Sequence, residues 1–260
     1  MALNELATIQ QGILIFLLGL AALTFLGTLF KTNAYGRHMQ GKEKLTLPAL
    51  PAWLIFECPQ WWAFAVTFWG LGYLHSFTPS TPAILLFALW QSHYCYRSII
   101  YPLRMQDRGK RFPLSGVVFG FAFNAANGFV NGFAVLTATH LMDNNWLGDP
   151  RFIAGLLIAI TGWWINFRAD DILIKLRKPG ETGYKIPHGG MFKYVSSANY
   201  LGEIVLWCGW ALMCFTPAGL IFALFTISNL LPRALSHHRW YQEKFPDYPA
   251  ERKAIIPRLL

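Results

Sequence analysis

Apolar residues fall in seven long runs along this chain, and polar residues and prolines gather in the breaks between them. The runs cover approximately residues 9–30, 59–77, 81–103, 115–141, 152–174, 199–215 and 217–235. A helix needs about 20 apolar residues, within a range of roughly 17 to 25, to cross the hydrocarbon core of a bilayer. The pattern therefore predicts seven transmembrane helices. TPSTP at 78–82 and TP at 216–217 are hairpin breaks, because proline supplies no backbone donor and ends the helix before it. No basic segment precedes the first run, which is long enough to span, so it is expected to be a retained helix rather than a cleaved signal. The connection around 168–198 holds Pro179, Gly180, Pro187, Gly189 and Gly190, which predict a shaped loop. The tail from residue 236, SHHRWYQEKFPDYPAERKAIIPRLL, mixes aromatic and basic residues in the manner of a segment lying at a membrane surface.

Composition turns the pattern into a class. Hydrophobic residues make up 54% of the chain and charged residues 13%, against about 25% charged in soluble domains. The expected fold is all-α, a polytopic integral membrane protein forming a single domain over 1–260. In a soluble protein the formal charge of +9 would suggest nucleic acid. Here 20 of the 22 Lys and Arg residues lie in alternate connections, leaving only Arg97 and Arg151 elsewhere. The positive-inside rule then places the N-terminus outside and the C-terminus in the cytoplasm. Anionic lipid or a phosphorylated ligand is the expected partner of these cations, with no nucleic acid and no obligate protein partner. The membrane would be a bacterial inner membrane or the endoplasmic reticulum, according to source. Cys58, Cys95, Cys208 and Cys214 sit in or beside apolar runs without metal spacing and read as small apolar residues, so no metal site is expected.

Polar residues inside the spans are the candidates for chemistry. Arg97 is the charge set most deeply by sequence, and Glu57 and Glu203 lie in or beside other apolar runs. An unpaired ion at such depth is costly, so Arg97 is expected to meet a carboxylate or a ligand phosphate. Tyr94, Arg97 and Tyr101 are spaced three and four apart and share one helix face, with His93 about 100° away. Asn124, Asn127 and Asn131 recur at helical spacing in the fourth run, where Gly128 and Gly132 form a GxxxG ridge. These amides either bond between helices or line an internal cavity, and both roles can hold.

The chain has no GxGxxG after a strand, no GxxxxGK[ST], no HExxH, no GxSxG and no paired CxxC, which argues against soluble nucleotide folds, zinc hydrolysis and standard serine chemistry. A large anionic cofactor would have to be held by cytoplasmic helix ends and loops, where Arg108, Asp170, Arg177, Lys178, Tyr184 and Lys185 cluster.

Several segments now resemble one family, the steroid 5α-reductases. LRKPGETGYKIPHGGMFKYVSSANYLGE at 176–203 is similar to the family's RKPGE…Y(R/K)IP.GG.F.YVS.AN..GE block. HYCYRSIIYP at 93–102 resembles its H-Y-x-x-R-x-x-x-Y segment, NGFVNGF at 127–133 its Asn-Gly segment, and HHRWYQEKFPDYPAERKAIIPRLL its C-terminal ending. Together these cover most of the chain after about residue 57, while the first helix matches in character only. The sequence departs from many relatives in having Lys185 where Arg is common, Gly183 where Ser is common, and Ser236 before the His pair.

The resemblance implies an NADPH-dependent reductase of 3-oxo-Δ4-steroids, with hydride delivered to C5 and a proton added at C4. It implies that Glu57 and Tyr94 bind the 3-oxo group. It assigns cofactor contacts to Asn166, Asp170, Arg177, Tyr184, Lys185, Asn199, His237 and Tyr241, and less directly to Arg108 and Asn127. Residues 1–110 then form the substrate-binding half and 111–260 mainly the cofactor-binding half. Competing expectations are a polyprenal or enoyl thioester reductase of the same family, a non-catalytic amphiphile-binding or transport protein, and a membrane methyltransferase.

Overall fold

A computed structural model describes residues 2–30, 45–105, 110–177, 181 and 183–260. Its long helices are α1 (Leu3–Phe30), α2 (Ala49–Leu74), α3 (Thr81–Cys95), α5 (Leu114–Thr137), α6 (Pro150–Lys175), α7 (Ala198–Cys214) and α8 (Pro217–Lys244). A π-helical turn, Tyr96–Ile100, joins α3 without a break to the short α4 (Tyr101–Arg104). Two three-residue strands, β1 (Thr46–Pro48) and β2 (Arg111–Pro113), pair antiparallel and set the starts of α2 and α5 side by side. The described residues thus form seven helical rods. Four are long and apolar enough to cross a membrane, α1 over Leu3–Thr28 together with α5, α6 and α8. Of the others, α3 and α7 are only 15 and 17 residues long, and α2 carries Glu57, Gln60 and two prolines. The fold is all-α and multi-pass.

The proline breaks have a common construction. Ser80, Asp149 and Thr216 cap α3, α6 and α8 by accepting from the backbone N–H of Ala83, Arg151 and Gly219 at 3.2, 2.8 and 3.2 Å. In each case proline follows within the first turn, where its missing donor costs nothing. Asp149 also accepts from the Arg151 guanidinium at 2.9 and 2.8 Å, and these hydrogen bonds hold its carboxyl down to about 2. The same guanidinium lies over the Trp146 and Phe215 rings at 4.5 and 4.4 Å.

Two helix pairs are pressed backbone to backbone. A Cβ placed on Gly162 would lie 2.2 Å from the Leu206 nitrogen, and one on Gly202 2.3 Å from the Asn166 nitrogen. Cβ atoms added at Gly155 and Gly209, one heptad away on either helix, would come as close to the Met213 and Ala159 nitrogens, at 2.5 and 2.4 Å. Where lipid weakens the hydrophobic drive between helices, such close approach supplies the packing. The Gly128–Gly132 ridge of α5 does the same against α2, where added Cβ atoms would lie 3.0 and 2.9 Å from the Gln60 and Phe64 carbonyl oxygens. Between these pairs lies an aromatic core that includes Phe64, Phe68, Trp90, Trp207, Trp210 and Phe222.

The largest departures from the expected boundaries are at α2 and α8. Helix α2 begins at Ala49, ten residues before the expected start, because Pro59 lies inside the helix instead of opening it. Helix α8 runs to Lys244, so residues 236–244 extend the last rod and only the segment from Phe245 is a separate tail. An apolar run ends where a helix leaves hydrocarbon, whereas the helix itself continues as long as its backbone bonds are made. The rest of the tail is stitched to the 187–197 loop. Lys253 pairs with Val195, and buried Arg252 donates to the Pro187 carbonyl at 3.0 Å. Ser196 Oγ meets Tyr248 Oη and His238 Nδ1, each at 2.6 Å. These bonds give the loop its shape, with Gly189 and Gly190 at φ 91° and 49° making a turn that favours glycine.

Candidate functional site

A cavity of about 1330 Å³ opens between the helices, with walls drawn from α1 to α8. That exceeds the roughly 300–1,000 Å³ of a typical small-ligand pocket, so there is room for two molecules at once. Its deep part is aromatic, with Trp53, Phe56, Trp207 and Phe222, and also holds Glu57 and Tyr94. Its other part reaches the loop after α6 and the end of α8, where Arg177, Tyr184, Lys185, His237 and Tyr241 line it.

The deep part is held by crossed aromatic and ionic contacts. Tyr94, only 5% exposed, stacks on Trp207 at 5.6 Å and leans on Trp90 at 5.0 Å, which leaves its ring one orientation. Tyr94 and Glu57 line the same cavity. Among the described residues, Glu57 forms no ion pair within 4 Å. A carboxyl so placed is free to meet a ligand.

Arg97 finds its expected carboxylates in Asp170, at 2.9 Å, and Glu203, at 3.4 Å. Its guanidinium also lies over the Tyr101 and Trp53 rings at 4.7 and 5.4 Å, while Trp53 Nε1 donates to the Arg97 carbonyl at 3.0 Å. Glu203 Oε2 accepts from Trp207 Nε1 at 2.9 Å, and His93 Nε2 stands 3.9 Å from the same oxygen. This network ties α3, α6 and α7 behind the chamber. Buried charges of this kind need pairing; Arg97 is paired on two sides, while Asp170 Oδ1 has no hydrogen-bond partner among the described residues. The π-helical turn falls at Arg97 itself, a local widening that recurs at functional sites because it re-aims the residues around it.

The residues singled out in the sequence converge to different degrees. Glu57, Tyr94, Asn166, Asp170, Arg177, Tyr184, Lys185, Asn199, His237 and Tyr241 all line the one cavity. Asp170, 1% exposed, reaches it already bonded to Arg97, and Asn166 donates to the Asn199 carbonyl at 3.0 Å. The His237 ring is tilted against Tyr200 at 5.4 Å, and Tyr241 stacks on Tyr248 at 5.3 Å. At the rim, Arg177 lies 5.4 Å from the Tyr184 ring and Lys185 pairs with Glu181 at 2.6 Å. Asn127 is not brought to the wall: it is buried and accepts from Asn131 Nδ2 at 3.0 Å, while Asn131 accepts from Trp210. Asn124 does line the cavity and donates to the Phe56 carbonyl, so the three amides divide the two expected roles between them. Arg108 lies outside the described residues.

Sequence reasoning missed Asn229 and Arg233, which line the cavity from α8. The signal was present: Asn229, Arg233, His237 and Tyr241 recur every four residues on one helical face. Ending the last span at 235 divided that stripe between a helix and a tail.

The donor set suits a dinucleotide. Cations at the rim match phosphates, and amides, phenols and an imidazole deeper in match sugar hydroxyls and a carboxamide.

Comparison with known proteins agrees. A family profile described as 3-oxo-5-alpha-steroid 4-dehydrogenase matches residues 110–260. The 3-oxo-5-alpha-steroid 4-dehydrogenase 1 of Rattus norvegicus is 40% identical over 265 residues, covering 100% of this chain and 98% of its own. That of Homo sapiens is 42% identical over 233 residues, covering 88% and 87%. Steroid 5-alpha-reductase DET2 of Solanum lycopersicum is 41% identical over 252 residues, covering 95% of both chains. A polar cavity among apolar helices and 40–41% identity over nearly the whole length of animal and plant reductases lead to one assignment: the chain belongs to the steroid 5α-reductase family, oxidoreductases acting on CH–CH bonds.

Proposed function

We propose that this protein reduces the Δ4 double bond of 3-oxo-Δ4-steroids, of progesterone or testosterone type, with NADPH as reductant, giving 5α-3-oxosteroids. The observation that carries this reading is the cavity itself, which joins a Glu57–Tyr94 pair in an aromatic chamber to a cation-bearing rim. Membership of the family retires the transport and methyltransferase alternatives.

NADPH, when bound, supplies the hydride that adds to C5. Conjugate addition moves negative charge onto the 3-oxo oxygen, and a fixed donor in a dry pocket stabilises that charge strongly. Tyr94 donates its hydroxyl proton to this oxygen from a ring locked by Trp90 and Trp207. Glu57, in its acid form, donates to the same atom. The product is complete when C4 takes a proton, so one hydride and one proton are consumed per double bond. Phe56, Trp53 and Phe222 exclude water from the steroid rings. Arg177, Lys185 and Arg233 would hold the phosphates; Asn166, Asn199, His237 and Tyr241 would orient the sugars and nicotinamide. The basic rim favours NADPH over NADH.

In this account all seven rods span the bilayer, with the N-terminus outside and the C-terminus cytoplasmic. Residues 1–110 supply the carbonyl-binding pair and 111–260 most of the cofactor contacts. The alternation of Lys and Arg between connections supports this topology.

The test is NADPH consumption by the purified protein in lipid. Oxidation driven by a Δ4-3-ketosteroid is expected. Oxidation driven by an acyclic enal or enoyl thioester, with no response to the steroid, would transfer the chain to the polyprenal or enoyl reductase branch.

A further inference from the structure

Gln60 takes no part in the cavity wall, yet it is the buried polar residue that the chamber leaves least explained. It lies on α2 one turn beyond Glu57 and is 0% exposed. Its backbone is pinned from two sides: Trp90 Nε1 donates to its carbonyl at 3.0 Å, and Gly128 of α5 packs against the same carbonyl. The side chain therefore starts from a fixed point where α2, α3 and α5 meet. Neither Nε2 nor Oε1 has a hydrogen-bond partner among the described residues. The indole that holds the Gln60 carbonyl, Trp90, also packs against the Tyr94 ring at 5.0 Å, so the amide is set beside that tyrosine and interacts with its hydroxyl.

A buried amide without partners is a standing cost, and Met or Leu would fill the same volume without it. A tyrosine hydroxyl, moreover, has a single proton. If a neighbour accepted that proton, Tyr94 could not offer it to a ketone. If a neighbour donates to the hydroxyl oxygen instead, the proton is directed into the chamber and the charge left on the phenol oxygen is stabilised as it is given up. An amide can do this through Nε2–H, which neither a carboxylate nor an apolar side chain can.

We propose that Gln60 is a positioning residue for the reduction: its amide donates to the Tyr94 oxygen and aims the phenol proton at the substrate carbonyl. This rests on the role given to Tyr94 above, and the test separates the two. Single-turnover steroid reduction is measured for Gln60→Met, Tyr94→Phe and the double variant in lipid, with rates counted per NADPH-binding site so that unfolded protein does not register. Gln60→Met is expected to lower the rate about 10-fold with KM for steroid changed less than about 2-fold, and Tyr94→Phe about 100-fold. The double variant should be no slower than Tyr94→Phe, since Gln60 acts only through that hydroxyl. Gln60→Asn, which keeps an amide but withdraws it by one methylene, should lose rate as Met does. Full activity in both Gln60 variants, or effects that multiply in the double variant, would overturn the proposal while leaving Tyr94 in place. Full activity in Tyr94→Phe would instead overturn the role of Tyr94.

Discussion

The two parts of the cavity are built by different means. The chamber around Glu57 and Tyr94 rests on helices α2, α3 and α7, and glycines press α2 against α5 and α7 against α6. Tyr94 is held against the Trp90 and Trp207 rings, and the Arg97–Asp170–Glu203 network braces the wall behind it. The rim is carried by the segment after α6 and the far end of α8, and its shape comes from hydrogen bonds to the C-terminal tail. Tyr184 and Lys185 are exposed there, whereas Tyr94 is not. A reaction that stabilises one oxygen needs the first kind of construction, in which misplacement by an ångström is costly. Capture of a charged cofactor from water tolerates the second, because charge attracts at a distance and side chains can adjust.

The contrast predicts graded losses. Largest should be Gly162→Leu, in which the new side chain meets the Leu206 backbone with no flexible group to yield. No folded, NADPH-binding protein is expected, as judged by size-exclusion profile and cofactor titration. Next is Tyr94→Phe, with kcat down about 100-fold, or about 2.7 kcal/mol, and NADPH affinity unchanged. If NADPH affinity fell with it, chamber and rim would not be separable. Arg177→Ala and Lys185→Ala should raise KM for NADPH several-fold, more at low salt than at high, with kcat within about 2-fold, since exposed charges act over roughly a Debye length of about 10 Å. Smallest is Asp149→Asn, remote from both parts. The Asp149 carboxyl is depressed by the Arg151 hydrogen bonds, so its contribution is complete above the unfolded value of about 3.9 and disappears as pH falls through about 2. Because the group is exposed, the effect should be a slight loss of melting temperature at neutral pH that vanishes in acid, with steroid reduction unaffected.

How far the sequence revealed this contrast depended on whether the relevant signal was local. The GxxxG ridge at Gly128 and Gly132 follows from spacing alone, and it packs on α2 as such a ridge should. The tighter α6–α7 contact was hidden, because Gly155 and Gly162, like Gly202 and Gly209, are a heptad apart and only a paired helix makes that interval meaningful. Arg97 plainly required a carboxylate. Which one is a matter of helix rotation: Glu203 and Asp170 turn toward it, while Glu57 turns to the cavity. Pro59 concealed the first turns of α2, since proline ends helices in water more readily than in a bundle whose neighbours satisfy the freed groups. The C-terminal stripe from Asn229 to Tyr241 was legible as a pattern but fell across a boundary drawn from hydropathy.

The central claim is that the chamber presents an enone carbonyl to Tyr94 and Glu57 while the cofactor lies within hydride distance. Product analysis after reduction of a Δ4-3-ketosteroid with NADPH deuterated at the transferable position tests it most directly. The account predicts one deuterium at C5 on the α face and a solvent proton at C4. An unreacted steroid, deuterium at C4, or addition on the β face would contradict it.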